Sequence, residues 1–258
     1  MHFKQNKVLW AIAGLVYAFL YLPLLIVVIY SFNDSRLNAE WVGFTLHWYH
    51  VLFADEQMLS AARNSLVIAL ITSGIATFLG TMAGLAMYKY KLRLLPVLVL
   101  TPIAIPEILM GLSLLVFFVT LNFTMGFVSI TLAHIAFCIG FVAIVVRARL
   151  QGMDEALVEA ARDLGATPFN AFRLITLPLI MPGIVAGALM AFTLSIDDFV
   201  ITYFTAGAGA TTLPLQIYSM LKIAVTPEVN AISSLLMLLT LALIFIAGKL
   251  APGALHAE

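Results

Sequence analysis

Six runs of mostly apolar residues, each long enough to cross a bilayer as a helix, set the terms for this chain. A spanning helix needs roughly 20 such residues. The segments about Val8–Phe32, Ser65–Tyr88, Leu94–Leu121, Phe127–Val146, Leu179–Phe204 and Ala231–Leu250 meet that length. Their apolarity is continuous rather than alternating, which predicts helices and argues against a barrel. Charged residues make up 10% of the chain, against about 25% in a soluble domain, too few to wrap a water-soluble globule. The expected fold is an all-α membrane protein, one transmembrane domain over residues 1–258. The first run is too long for a signal-peptide core, and no small-x-small pattern ends it, so it reads as a retained span. A formal net charge of +0 offers no bulk field to collect nucleic acid. The single cysteine, Cys138, excludes an intramolecular disulfide and a cysteine-only metal cluster, and its apolar setting predicts a small core residue.

The placement of Lys and Arg orients the spans. With both termini on one side, Lys4, Lys7, Lys89, Lys91, Arg93, Arg147, Arg149, Arg162, Arg173 and Lys249 share that side, and only Arg36, Arg63 and Lys222 face the other. The richer side is then cytoplasmic. On the outer side, residues 33–64 hold Trp41, Phe44, Trp48, Tyr49 and Phe53, which suits a helix lying in the interface. Residues 205–230 begin with the turn "TAGAGATTLP" and continue as "LQIYSMLKIAV", a short helix ended by Pro227. Either these connections cap the bundle or they face a partner; their aromatic density favours the partner.

The loop between the fourth and fifth spans, about 147–178, is built differently. Asp154 is placed to N-cap a helix through Leu164. On that helix Leu157, Ala161 and Leu164 form an apolar stripe, and Glu155, Glu159 and Asp163 an acidic one. Like charges at this spacing repel, and Arg162 relieves only part of that. Gly165 stands where a helix commonly ends with positive φ. Thr167 and Pro168 read as N-cap and N1 of a second short helix, with Phe169, Phe172 and Ile175 on its apolar face, closed by Pro178 where the fifth span starts. Such a knob suits either another protein's groove or packing on its own bundle.

The pattern Glu159-Ala160-Ala161, then Gly165, then Ile175, Leu177 and Pro178 resembles the signature of permease subunits of ATP-binding-cassette importers. "YLPLLIVVIYSFNDSR", "WVGFTLHWY", "SLLVFF", "AHIAFC", "FTLSIDDFVITYFTAG" and "PEVNA" extend the resemblance over nearly the whole chain, to the spermidine/putrescine branch. Within it, "LPLQIYSMLK" leans toward the C-type permease and "GATTLP" toward the putrescine-specific counterpart. The resemblance implies a type I importer permease fold with six spans and cytoplasmic coupling helices, in a bacterial inner membrane. It implies that Glu159 pairs with a basic group of a separate ATPase, that Ala160 and Ala161 permit close approach, and that Gly165 makes the turn. Ile175, Leu177 and Pro178 complete the coupling motif. The implied partners are that ATPase, as a dimer, a second related permease and an external polyamine-binding protein. No cofactor is expected on this chain. It lacks a G-x-x-x-x-G-K-[ST] loop, so ATP and Mg²⁺ belong to the ATPase.

Acidic residues inside spans are costly and usually functional. Asp197 and Asp198 fall late in the fifth span, and Glu107 midway along the third, behind Pro102 and Pro106 of "TPIAIPE". Those prolines predict a kink. No lysine or arginine lies deep in a span to neutralise the acids, whereas putrescine or spermidine could. Carboxylates would hold the amines, and Phe199 and Tyr203 would offer aromatic faces, with Ser195 and Thr202 adding hydrogen bonds. Adjacent residues on a helix point about 100° apart, so one aspartate of the pair is equally suited to cap or bond a neighbouring helix. His134 and Asn122 are weaker candidates, a lone histidine in a span being more often an interhelical donor. Three other functions compete with this one. A permease for another small cationic solute fits the same pattern. An intramembrane aspartyl enzyme needs two carboxylates sharing one water, which adjacent helical residues do not provide. A self-contained ion-coupled carrier has no use for an ATPase-docking loop.

Overall fold

The computed structural model describes residues 7–35, 40–90, 93–224 and 226–250. Lys4, Arg36 and Lys91, used above for orientation, lie outside the described residues, as does the side chain of Lys249. So do residues 36–39 of the first long connection and Val225 of the second. The described chain is helical, with one isolated bridge between Asn33 and Phe44. Its helices are α1 (Lys7–Tyr30), α2 (His47–Ala54), α3 (Glu56–Lys89), α4 (Leu94–Ala104), α5 (Glu107–Thr120), α6 (Phe127–Gln151), α7 (Ala156–Asp163), α8 (Pro168–Ala171), α9 (Leu177–Ile196), α10 (Val200–Thr205), α11 (Leu213–Leu221) and α12 (Pro227–Leu250), with a π-helical turn at Phe172–Thr176.

Among the described residues four helical stretches are long and apolar enough to cross a membrane: Leu9–Tyr30, Glu56–Lys89, Phe127–Gln151 and Pro168–Ile196. The expected third span is not one rod. It is α4 and α5, bent by 107°. The cause is local: Pro106 pushes Ile105 out of the helical region to ψ 132° and itself sits at ψ 135°. The sixth expected span coincides with α12, whose apolar stretch Pro227–Leu243 is shorter.

The chain divides into two compact units. One combines the N-terminal part through Leu59 with Gln216–Leu239. In it α1 exposes apolar side chains such as Leu15 and Phe19 along its length, as a helix solvated by lipid does. Below α1 the chain turns around Asn33, which is fully buried. Its side chain donates to the Glu40 carbonyl and accepts from the Val42 N–H, and its carbonyl accepts from the Trp48 indole. Phe32 stacks on Phe44 and Tyr49. The aromatic residues of the first long connection thus order it, while Trp41, Phe44 and Phe53 remain exposed.

The second unit, Ser60–Leu215 with the end of α12, centres on α6. Ile130, Ala133, Cys138, Val142, Ala143 and Val146 of α6 are fully buried, so Cys138 is the core residue expected. Helices approach α6 closely because glycines face it. A Cβ on Gly80 of α3 would lie 2.6 Å from Val142 Cβ, and one on Gly140 of α6 would lie 2.7 Å from the Val99 carbonyl oxygen of α4. Between apolar helices in lipid, close van der Waals packing takes the place of the hydrophobic effect, which explains small residues at these seams.

Candidate functional site: an acidic helix break and an exposed helical knob

The acidic residues gather at two helix breaks within the α6-centred unit. Glu107 opens α5 immediately after the Pro106 bend, exposed. The fifth span also breaks: α9 ends at Ile196, residues 197–199 are non-helical, and α10 starts at Val200. The expectation of one continuous helix carrying both aspartates is therefore corrected. α5 and α10 bring the breaks together. They pack so tightly that a Cβ on Gly111 would lie 2.7 Å from the Phe204 ring. Asp197 is exposed, and its carboxylate feels the charges of both Asp198 and Glu107. Among the described residues neither Asp197 nor Glu107 has a salt-bridge partner. Tyr203 is 49% exposed, with its ring 5.7 Å from that of Phe199 and 5.4 Å from that of Phe204.

Asp198 faces the other way. Its Oδ1 accepts from the Thr202 N–H at 2.8 Å and from the Thr202 hydroxyl at 3.0 Å. That amide lies in the first turn of α10, where no intrahelical acceptor exists. The His134 Nε2 lies 3.2 Å from the same oxygen and 2.9 Å from Thr202 Oγ1, and His134 Nδ1 lies 2.8 Å from Ser195 Oγ. The side chains of His134 and Asp198 are 2% and 6% exposed, and Ser195 and Thr202 are buried. In this structure both Asp198 and Ser195 are turned inward, and Asp198 makes a helix cap and an interhelical bond, one of the two uses foreseen for the aspartate pair. Hydropathy and spacing give no sign that His134 is their common partner, because the contact joins residues more than sixty positions apart. Asn122 occupies φ 52° at the end of α5, where the Phe123 and Asn122 amides bond back to Phe118 and Val119 carbonyls. It is a helix stop rather than a site.

The knob follows its sequence closely. Asp154 Oδ1 accepts from the Ala156 N–H at 3.0 Å. Gly165 has φ 88°, the Gly165 N–H donates to the Arg162 carbonyl and the Ala166 N–H to the Ala161 carbonyl. This pair of bonds is the left-handed helix stop that favours glycine. Thr167 Oγ1 accepts from the Asn170 N–H at 3.3 Å. Glu155, Glu159 and Asp163 of the acidic stripe are all exposed, and Glu155 accepts a hydrogen bond from the Tyr88 hydroxyl of α3. Ala160 is exposed and Ala161 half-buried. Leu164 is 90% exposed and Phe169 67%, so much of the knob's apolar surface has no cover from its own bundle.

One expectation about the knob is corrected. Pro178 does not close the second helix. α8, the π-helical turn and α9 run on without interruption from Pro168 to Ile196. In the turn, the Leu177 N–H reaches back to the Phe172 carbonyl. Pro178 has no N–H to continue the ladder, and the π turn lies in the residues just before it. Ile175 and Leu177 are half-buried and Pro178 exposed.

The family described as binding-protein-dependent transport system inner membrane component matches residues 76–255. The chain is 42% identical to the spermidine/putrescine transport system permease protein PotC of Escherichia coli (strain K12), covering 89% of this chain and 88% of that one. It is also 42% identical to the putrescine transport system permease protein PotI of the same strain, covering 88% and 85%. In fold it is similar to a chain of a bacterial alginate ABC transporter solved in complex with an alginate pentasaccharide-bound periplasmic protein, with TM-score 0.72, 19% identity and coverage of 96% and 95%.

Proposed function

This chain belongs to the binding-protein-dependent transport system inner membrane component family, and we propose that it is the permease subunit of an ATP-binding-cassette importer for polyamines. The observation that carries the substrate class is the acidic break: Asp197 and Glu107 exposed and, among the described residues, without salt-bridge partners, with Phe199 two residues on from Asp197 and its ring against Tyr203. Uncompensated carboxylates at membrane depth call for cations. A protonated diamine or triamine supplies two or more, joined by methylene stems that pack on aromatic faces. The similarity to relatives named for spermidine and putrescine supports the same reading. Binding at such a site stays modest, since a path must release what it binds.

The knob supports docking on a separate ATPase, whose dimer binds ATP and Mg²⁺. Exposed Glu159 meets a basic group there, Ala160 and Ala161 leave room for close approach, and Gly165 holds the turn. Ile175, Leu177 and Pro178 carry the motif into the fifth span. Closure of the ATPase pair shifts the knob and switches access to the path between two states. A second, related permease completes the path, and an external binding protein delivers putrescine or spermidine to the exposed aromatic connection. Six spans, with both termini and the knob in the cytoplasm, satisfy the distribution of Lys and Arg.

The test is uptake of labelled putrescine and spermidine by cells carrying the whole importer, normalised to inserted protein. Asp197→Asn and Glu107→Gln each remove one charge-assisted contact, so the more important of the two lowers uptake by about tenfold or more. Wild-type uptake in both variants refutes the acidic path. Uptake of another small cation that neither polyamine competes with redirects the substrate.

A further inference from the structure

We infer that His134 is a positioning residue that braces the break in the fifth span and thereby sets where Asp197 stands relative to Glu107. The inference rests on the path reading above. A break leaves two helix ends free to pivot about the residues between them, here Asp197, Asp198 and Phe199. Within the segment the Asp197 N–H bonds back to the Thr193 carbonyl and Asp198 caps Thr202, each tying the segment to one side of the break. The group that touches both sides comes from α6. One nitrogen of the His134 ring meets Ser195, in the last turn of α9, and the other meets Asp198 and Thr202, on the α10 side. One rigid five-membered ring is thus bonded to both sides of the break.

The network also fixes which atom does what. The Thr202 hydroxyl donates its proton to Asp198 Oδ1. With Asp198 ionised and the ring neutral, Nε2 carries a hydrogen shared between Thr202 Oγ1 and Asp198 Oδ1, and Nδ1 accepts from the Ser195 hydroxyl. α10 is then tied to α5 through Phe204 against Gly111, and α5 begins with Glu107. His134, Asp198 and Thr202 therefore sit in a chain of contacts ending at the second acid. Loosening the brace changes the spacing of Asp197 and Glu107, and with it the amine spacing that the pair accepts best.

Two substitutions divide the brace. The amide of Asn at position 134 reaches only as far as Nδ1, whereas that of Gln reaches as far as Nε2. His134→Asn keeps the Ser195 bond and leaves Asp198 without its imidazole, and His134→Gln keeps the donor to Asp198 and Thr202. Maximal uptake of spermidine and of putrescine is measured with the full importer, the binding protein saturated, per inserted molecule. A role confined to folding lowers both rates alike. The brace predicts that His134→Asn changes the ratio of the two rates by about fivefold, as loss of one charge-assisted hydrogen bond allows, while His134→Gln stays within about twofold of wild type. Where Asp197→Asn impairs uptake, an unchanged ratio in His134→Asn, or an equal change in both variants, overturns it. Amide exchange over residues 199–204 of the purified complex gives a readout independent of the substrate path. Faster exchange at Thr202 in His134→Asn than in His134→Gln supports the brace even where Asp197→Asn transports normally and the path reading fails. Equal exchange in the two variants overturns the brace even where Asp197 proves essential.

Discussion

Gly165 offers the sharpest test of the knob, because its cost can be worked out in advance. At φ 88° a Cβ meets no atom within 4 Å, so replacing Gly165 costs backbone strain and nothing else. A non-glycine L-residue in the left-handed region pays about 1–2 kcal/mol. Replacing Gly by Ala returns about 0.4–1 kcal/mol by narrowing the unfolded ensemble. Gly165→Ala therefore leaves the turn about 1 kcal/mol less stable, which is about a fivefold smaller ratio of formed to unformed turn. Gly165→Asn costs less, because Asn tolerates this region, and Gly165→Val costs more, because a β-branched residue there is a conformational outlier. The assay is recovery of the ATPase with affinity-tagged permease, alongside ATP-driven uptake, for all three variants at equal insertion. The expected order is Asn nearest wild type, then Ala, then Val. Three variants indistinguishable from wild type would mean that the left-handed turn does not govern docking.

Two further outcomes follow from local geometry. Gly111→Ala drives a methyl group into the Phe204 ring at 2.7 Å. It lowers stability by about 1–3 kcal/mol, seen as a lower unfolding temperature of the detergent-solubilised importer, and an unchanged temperature contradicts the tight α5–α10 contact. Thr167→Ala removes the cap on the Asn170 amide and costs about 1 kcal/mol. Faster amide exchange confined to residues 168–171 is the expected sign, and exchange equal to wild type shows that the cap is dispensable.

Much of the knob was legible in the sequence because each of its devices is local. Asp154, Gly165, Thr167 and Pro168 act within a few residues, and the structure finds the two side-chain caps and the left-handed turn where spacing puts them. The bend before Glu107 was legible for the same reason, proline acting on its immediate neighbour, though not its size of 107°. The break at Asp197–Phe199 was not. No glycine or proline marks it, and the residues around it are good candidates for an uninterrupted apolar helix. It exists because Asp198 takes the Thr202 amide and a histidine from another helix holds that arrangement, a bargain struck in three dimensions. The same contact turned Asp198 and Ser195 inward. The π turn at Phe172–Thr176 lay hidden because Pro178 reads equally well as the start of a helix and as a flaw inside one.

The uninterrupted run from Pro168 to Ile196 is 29 residues, about 43 Å at helical rise. Held near one end, a rod of that length converts a tilt of about 5° into roughly 4 Å of travel at the other. That travel is about one van der Waals carbon–carbon separation, enough to open or shut a gap the width of an alkyl chain. The loosened turn lies close to the Pro168 end, where a small change of angle sweeps the widest arc. Asp197 is the first residue beyond the far tip, so the carboxylate stands where the swing is greatest.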